Sequence, residues 1–351
     1  MKTMLYAATA LALLGASSPA LAKTKPVEAA VTASTLSGEP LADSLPAYAA
    51  FQADISLVNG GSIQGPKDIE RTLDKAAALN RDALTRGIIA YGALAAARNP
   101  QFADSIRKTA KFYGRDKMVN GLLLQPRYAS SMEGADAAMA TIVRLARADS
   151  ARILTAGESL KQRAREAQNI SWGKDTAGSA GPRTMRLKAL AAAASSPTIS
   201  AEMAGKLIVT PGDPSLDPAS FGGESFWRTI SAPPLNPSTS ASAKSGSHTV
   251  TDATFTSLPT TIGGYSSSSG GSEIRAKMLS LAGLYALNAT ADRPADTERL
   301  LNDNITNGCL QGAQLQFYQC VASAKFNYEN MACIGEAGLI TVGSCVKDLA
   351  R

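Results

Sequence analysis

All four cysteines of this chain lie within its last 43 residues, at Cys309, Cys320, Cys333 and Cys345. An even number of closely spaced cysteines in an exported chain is typical of disulfides, because oxidising compartments convert thiol pairs into bonds. Zinc sites usually take cysteines in pairs about two to four residues apart, a spacing that this chain lacks. We therefore interpret the four cysteines as two structural disulfides.

The spacing of the cysteines indicates how they pair. Cys309 and Cys320 are 11 residues apart, and Cys333 and Cys345 are 12 apart. Eleven residues make about three turns of helix, so the first two cysteines share one helix face. If the chain folds back within residues 326–330, Cys320 meets Cys333 and Cys309 meets Cys345. This nested pairing predicts a C-terminal helical hairpin held by two disulfides.

A sequential pairing, Cys309 with Cys320 and Cys333 with Cys345, is the alternative. The second arm of the hairpin contains three glycines, Gly335, Gly338 and Gly343. Glycine disfavours helix, so the end of this arm could be extended instead. Against the alternative, residues 11 apart on a straight helix lie about 16 Å apart along its axis, too far for a disulfide.

The N-terminus has the features of an export signal. Lys2 precedes an apolar run from Leu5 to Ala16, and Ala20–Ala22 supplies the small-residue cleavage pattern before Lys23. The run is shorter than the roughly 20 residues that a membrane-spanning helix needs. We predict a signal peptide, a periplasmic or secreted location, and no transmembrane segment after signal cleavage.

Helical periodicity dominates the first half of the mature chain. Gly65 and Pro66 mark a helix start, since proline is favoured at the first helical position. Apolar residues then recur at steps of three, four or seven from Leu73 to Ala95, and Asn99 precedes a proline that ends the pattern. The sequence predicts one helix over this stretch.

Three further helices are predicted before residue 171. They cover residues 101–113, where Gly114 ends the helix, residues 118–124, and residues 132–170, which Gly157 could interrupt. Short connections between such helices favour antiparallel neighbours, so we expect a bundle.

The middle of the chain has a different composition. Of residues 209–271, 38 of 63 are Pro, Ser, Thr or Gly, which is typical of a functional loop or a linker. Alternation in residues 248–255, with a return at residues 262–265, predicts at most a small hairpin. We consider Trp227 and Tyr265 as binding residues of this segment. The alternative is a spacer whose aromatic side chains pin it to the bundle.

The predicted fold is mainly α, a helical bundle with a long Ser/Thr/Pro/Gly-rich excursion and a disulfide-linked C-terminal helical hairpin. We divide the chain into a signal peptide (1–22), a flexible leader (23–42), a helical bundle (43–208), a low-complexity loop or linker (209–271) and a C-terminal helical segment with two disulfides (272–351).

Common catalytic signatures are scarce. His248 is the single histidine, so a serine–histidine triad or a multi-histidine metal site has no basis here. Ser105 and Lys108 match S-x-x-K, but the strand pattern that penicillin-binding enzymes require does not accompany them. Phosphate-binding glycine motifs are also lacking. We predict no cofactor and no metal.

Two glutamates offer the alternative of catalysis. Glu158 and Glu224 each stand between glycine and serine. These short runs resemble the glutamate–serine pair of lysozyme-like lytic transglycosylases, whose fold is also largely helical. The resemblance implies a glutamate acting as acid and then base on cell-wall glycan. The Gly-Leu-Met-Gln element that usually follows in that family is missing.

Charge argues against nucleic-acid binding. The net charge of +6 is spread along alternating acidic and basic residues, and aromatics make up only 5% of the chain. We predict an exported envelope protein with a non-catalytic binding or structural role, with an envelope protein or a cell-wall polymer as partner. A cell-wall glycan hydrolase that uses Glu158 or Glu224 is the alternative.

Overall fold

A computed structural model describes residues 39–58, 63–195, 197, 199, 201–208, 221–223, 226–228 and 270–351. Within these ranges the chain is helical, and extended pairing is limited to one antiparallel bridge between Thr176 and Phe326. The prediction of a mainly α fold is confirmed.

The helices follow one another with short connections. In chain order they are α1 (Pro40–Leu57), α2 (Pro66–Ala77), α3 (Arg81–Ala97), α4 (Pro100–Tyr113), α5 (Arg115–Leu124), a 3₁₀ helix (Pro126–Ser131), α6 (Ala135–Ala167), α7 (Ser171–Lys174), α8 (Ala180–Ala192), α9 (Ala201–Leu207), α10 (Gly270–Ala286), α11 (Pro294–Leu301), α12 (Asn304–Ser323), α13 (Asn327–Cys333), a π-helix (Ile334–Ile340) and α14 (Thr341–Asp348).

The single helix predicted between residues 66 and 98 is wrong, because the structure has two. α2 ends at Ala77, and α3 begins after Asn80, whose side chain accepts a hydrogen bond of 3.0 Å from the amide of Ala83. An asparagine at this position satisfies a backbone N–H that a new helix leaves without a partner. The helical spacing of apolar residues continues across residues 78–80, so this spacing did not show where one helix ends and the next begins.

The predicted bounds of α4 and α6 lie within three residues of the observed bounds. α4 ends at Gly114, which adopts φ 97°, a left-handed conformation that favours glycine. α6 is unbroken over 33 residues, so the expected interruption at Gly157 is wrong.

One helix forms the centre of the core. Between Ala83 and Ala97, every residue of α3 except Arg86 is buried. A helix that is buried on all sides must be covered by neighbours all round, and α1, α6, α10 and α12 pack against α3. Side chains from both halves of the chain, such as Leu94 and Leu279, belong to one hydrophobic core.

The disulfide prediction is confirmed. Cys309 is bonded to Cys345 with Cα atoms 5.8 Å apart, and Cys320 is bonded to Cys333 with Cα atoms 5.5 Å apart. α12 forms the first arm of the hairpin. The second arm runs back through α13, the π-helix and α14.

The second arm remains helical to Asp348, so the expectation of an extended end is wrong. Its glycines allow close helix crossing instead. A Cβ built on Gly157 of α6 would lie 2.8 Å from the carbonyl oxygen of Gly335 and 2.6 Å from the side chain of Ile340. Only residues without a side chain allow the two backbones to approach so closely.

Several predictions lie outside the described residues. These are the signal peptide, most of the leader, and the small hairpin within residues 248–265. Along the part of the chain that the structure does describe, helices long and apolar enough to cross a membrane do not occur.

Candidate functional site

Glu158, the glutamate proposed for hydrolysis, lies on the open surface of α6. Its side chain is 61% exposed and lies 3.5 Å from Lys161, whose ammonium also contacts Glu336 at 2.6 Å. Such half-exposed ion pairs are typical of a solvated helix surface. Glu224 and Tyr265 lie outside the described residues, so their predicted roles are not tested.

Trp227 is completely buried in an aromatic cluster. Its ring centroid lies 5.9 Å from that of Tyr48, 5.3 Å from Tyr91 and 5.2 Å from Phe226, and Phe221 completes the group. The position matches the alternative of an aromatic side chain that pins the middle segment to the bundle. A binding role for Trp227 stays a prediction, and in this structure its indole contacts the core.

A carboxylate lies within this aromatic cluster. Asp149 of α6 accepts hydrogen bonds from the hydroxyl of Tyr48 at 2.9 Å, the indole N–H of Trp227 at 2.9 Å and the amide of Gly223 at 3.3 Å. Three donors on one carboxylate compensate for much of the water that burial removes.

The hydrogen bonds extend beyond the carboxylate. The side-chain amide of Gln52 donates to the hydroxyl of Tyr48 at 2.8 Å, and Arg152 donates to both the side-chain and the backbone oxygen of Gln52. The chain of bonds therefore links α1 to α6 and ends on the positive charge of Arg152.

Burial dominates the electrostatics of this cluster. It raises the pKa of Asp149 to about 6, although the hydrogen bonds from Trp227 and Tyr48 and the charge of Arg152 act in the opposite direction. Burial, together with the neighbouring carboxylate, also raises the pKa of Tyr48 well above its usual value. At neutral pH Asp149 is thus ionised and Tyr48 remains a donor.

Two arginines bind the same part of the chain, Arg98 at the end of α3 and Arg144 on α6. The guanidinium of Arg98 lies 3.7 Å from the ring centroid of Phe221 and donates to the carbonyls of Lys206 and Leu207 at 2.9 Å. Arg144 donates to the carbonyl of Phe221 at 3.2 Å. The geometry around Asp149 is therefore that of an anchor that holds residues 221–223, residues 226–227 and α9 on the bundle.

A separate apolar groove of about 450 Å³ lies between α1, α2, α8 and the π-helix. Its walls are aliphatic and aromatic and include Phe51, Ile55, Leu79, Leu190, Ile334 and Leu339. Small-molecule sites commonly measure about 300–1,000 Å³ and are lined in this way. The groove is thus large enough for a small molecule.

The charged groups of the groove form one ion pair. Asp54 of α1 and Lys75 of α2 contact each other, and their side chains are 41% and 48% exposed. Thr72, one turn before Lys75 on α2, adds a hydroxyl to the same lining. The groove therefore combines an apolar body with one polar side.

Metal binding has no candidate in the described residues. Among them, groups of three or more His, Cys, Asp or Glu side chains that could hold a metal ion do not occur. All four cysteines are consumed by the disulfides.

The comparisons with known proteins gave no further guide. No protein-family model, curated protein or solved structure matches this chain.

The sequence analysis considered that aromatic side chains pin the middle segment, but it missed the carboxylate of the anchor and the groove. Asp149 falls on the apolar stripe of α6, three residues after Ala146 and four before Ile153. A charged residue on a stripe of this kind is a signal for a buried polar site. The groove has no comparable signal, because it is formed by helices that are distant in sequence.

Proposed function

We propose that this chain is an exported, non-catalytic binding protein whose groove holds a small amphiphile, with an aliphatic body and a polar end. The observation that carries the proposal is the groove of about 450 Å³ between α1, α2, α8 and the π-helix. An apolar cavity with few polar groups is the usual form of a small-molecule site.

The apolar walls favour an aliphatic body for the ligand. Ile55, Ile334 and Leu339 are nearly fully buried and present hydrocarbon on opposite sides of the groove. A chain that fills this space removes its own apolar surface from water, at roughly 25 cal/mol per Å² buried. Ile334 directly follows Cys333, so the Cys320–Cys333 disulfide holds one wall in place.

The polar side of the groove favours one charged or hydrogen-bonding end. Lys75 and Asp54 are half exposed, so either can exchange its present partner for a ligand group at little cost. The hydroxyl of Thr72 donates to the carbonyl of Asp68 at 2.7 Å, so its oxygen offers an acceptor beside them. A carboxylate or hydroxyl end placed here would orient the ligand.

The proposed location rests on two features. The N-terminal residues have the pattern of a cleaved signal peptide. Two disulfides in one chain are typical of proteins that fold in an oxidising compartment. We place the protein in the periplasm or the extracellular space.

The alternative of a glycan hydrolase receives less support. Glu158 lies on an exposed helix face, whereas a catalytic acid of this type depends on an apolar pocket that raises its pKa. Glu224, the other candidate, awaits the same test.

A fluorescent probe tests the groove. N-phenyl-1-naphthylamine should bind the intact protein with increased emission, and decanoate should displace it. Ala76 lines the groove and is half buried. The substitution Ala76→Phe should fill the space and weaken probe binding at least about tenfold.

Ala151→Phe on the exposed face of α6 is the matched control and should bind the probe normally. Circular dichroism should show that both variants keep the helical content of the wild type. The proposal is refuted if the wild type does not bind the probe, or if the two variants bind it equally well.

A further inference from the structure

The α4–α5 hairpin presents two adjacent aromatic side chains to solvent. Phe112 is 81% exposed and Tyr113 is 61% exposed, and their ring centroids are 4.7 Å apart. Both lie at the end of α4, directly before the turn at Gly114. We call residues 108–117 the hairpin tip.

Exposure of this kind is unusual in the described part of the chain. The large aromatic side chains Tyr48, Phe102 and Phe317 are almost fully buried. Aromatic rings have large apolar surfaces, and exposing two of them to water is unfavourable. A contiguous exposed apolar surface of this kind commonly marks a binding site. The pair therefore indicates a contact beyond the described residues.

The charges around the rings are mainly positive. Lys108, Lys111 and Lys117 are exposed, and none of them forms an ion pair within the described residues. The other charged residues of the hairpin tip, Arg115 and Asp116, are also exposed.

Nearby acids are occupied by arginines. Asp104 lies 2.7 Å from Arg107, and Asp292 lies 2.5 Å from Arg115. Within residues 108–117, Asp116 is the one acid that offsets the three lysines. The hairpin tip thus carries a surplus of positive charge beside an apolar pair.

We propose that the hairpin tip docks on a membrane surface rich in anionic phospholipid. Aromatic rings settle at the level of the headgroups, where one part of the ring is apolar and the tyrosine hydroxyl stays hydrated. Lysines extend over apolar surface while their ammonium groups contact lipid phosphates. Phe112 and Tyr113 enter the interface, and the three lysines bind the headgroups around them.

The geometry of the hairpin suits shallow contact. Gly114 turns the chain, and a Cβ built on it would meet no atom within 4 Å, so the glycine itself faces open space. The next residue, Arg115, donates to the carbonyls of Leu287 and Asn288 and so holds the turn against the α10–α11 connection. Phe112 and Tyr113 lie edge to face at 79°, which fills the corner with a compact apolar wedge. The proposal does not depend on the groove.

Vesicle co-sedimentation tests the proposal on the full mature chain. The protein should pellet with phosphatidylcholine vesicles that contain phosphatidylglycerol and stay in the supernatant with phosphatidylcholine alone. The double variant F112S/Y113S should bind at least about tenfold more weakly. The triple variant K108E/K111E/K117E should lose about a hundredfold, because each lysine near an anionic surface contributes.

Two matched controls separate the tip from general effects. K67E/K188E/K347E changes the net charge equally at exposed lysines on α2, α8 and α14, and should bind the charged vesicles more tightly than the tip variant. Leu124, 75% exposed, lies at the far end of α5, about 14 Å from Arg115 along the axis, so L124S should bind like the wild type.

A second measurement follows the tip directly. In F112W the added indole emission, compared with the wild type, should shift to shorter wavelength with anionic vesicles. Equal binding to both kinds of vesicle, full retention of binding by F112S/Y113S, or binding to duplex DNA without vesicle binding would each overturn the proposal.

Discussion

Asp149 shows how one residue can join distant parts of the fold. A carboxylate on the apolar face of α6 is costly, because burial removes its hydration. Three donors from two distant parts of the chain, Tyr48 of α1 and Gly223 and Trp227 of the middle segment, replace that water. The same bonds attach Gly223 and Trp227 to the bundle, so a residue whose burial is unfavourable by itself becomes an attachment point.

The pH dependence of stability should report the burial of Asp149. Because its folded pKa is raised to about 6, above the 3.8 of an ordinary aspartate, its stabilising effect is complete below pH 3.8 and is lost as pH rises through 6. Relative to Asp149→Asn, the wild type should therefore lose about 2 kcal/mol of unfolding free energy between pH 4.5 and 7.5.

Urea unfolding of both proteins at the two pH values measures this difference. Asp149→Asn preserves the shape of the side chain and does not titrate, so it serves as the reference for all other ionisable groups. If the wild type instead gains stability relative to the variant between pH 4.5 and 7.5, the hydrogen-bond donors lower the pKa of Asp149 by more than burial raises it.

At the scale of helices, the crossing of α6 with the second arm of the hairpin depends on glycines, which have no side chain. Gly157 and Gly335 face each other so closely that a Cβ on either would lie within 2.8 Å of the other's carbonyl oxygen. Gly343 extends the same contact towards Ile153. Glycine costs helix stability in an isolated helix, and here the close packing offsets that cost.

Gly157→Ala should destabilise the protein by about 1–3 kcal/mol, because the added methyl group overlaps backbone atoms that cannot move aside. Gly312→Ala is the control, since a Cβ at this position of α12 meets nothing within 4 Å. It should leave stability unchanged or raise it by up to about 1 kcal/mol. Chemical denaturation of both variants measures the contrast, and a Gly157→Ala protein as stable as the wild type would contradict the tight crossing.

On the scale of the whole molecule, the C-terminal hairpin is part of the main core. Leu310, Phe317 and Ile334 belong to the same hydrophobic core as the helices of the first half. The π-helix contributes one wall of the groove and also crosses α6. The two disulfides therefore hold a surface on which both the fold and the proposed site depend.

Removing the disulfides one at a time should destabilise the protein unequally. Replacing Cys309 and Cys345 by alanine frees a loop of 36 residues and should cost about 4 kcal/mol, and replacing Cys320 and Cys333 frees 13 and should cost about 3 kcal/mol. Denaturation in urea without reductant gives both values. Thiol labelling of the unfolded wild type without reductant should modify none of the four sulfurs, and labelling of all four would refute the pairing.

The fold class and the ends of several helices could be predicted from the sequence, because their causes are local. Gly114 ends α4 through its own backbone freedom, and Asn99 caps the same helix with its own side chain. The cystine pairing was also predictable, since the positions of Cys309 and Cys320 on one face follow from helical periodicity alone. The break at Asn80 was equally local, but the apolar period that runs across it concealed the cap.

The candidate sites depend on contacts that no local pattern contains. Trp227 reaches Asp149 across 78 residues of sequence, and the groove joins Phe51 of α1 to Leu190 of α8 and Leu339 of the π-helix. The amino-acid order by itself therefore determined which segments are helical and which cysteines pair. Tertiary packing alone decided which carboxylate is buried and where a cavity remains, because burial depends on which helices meet.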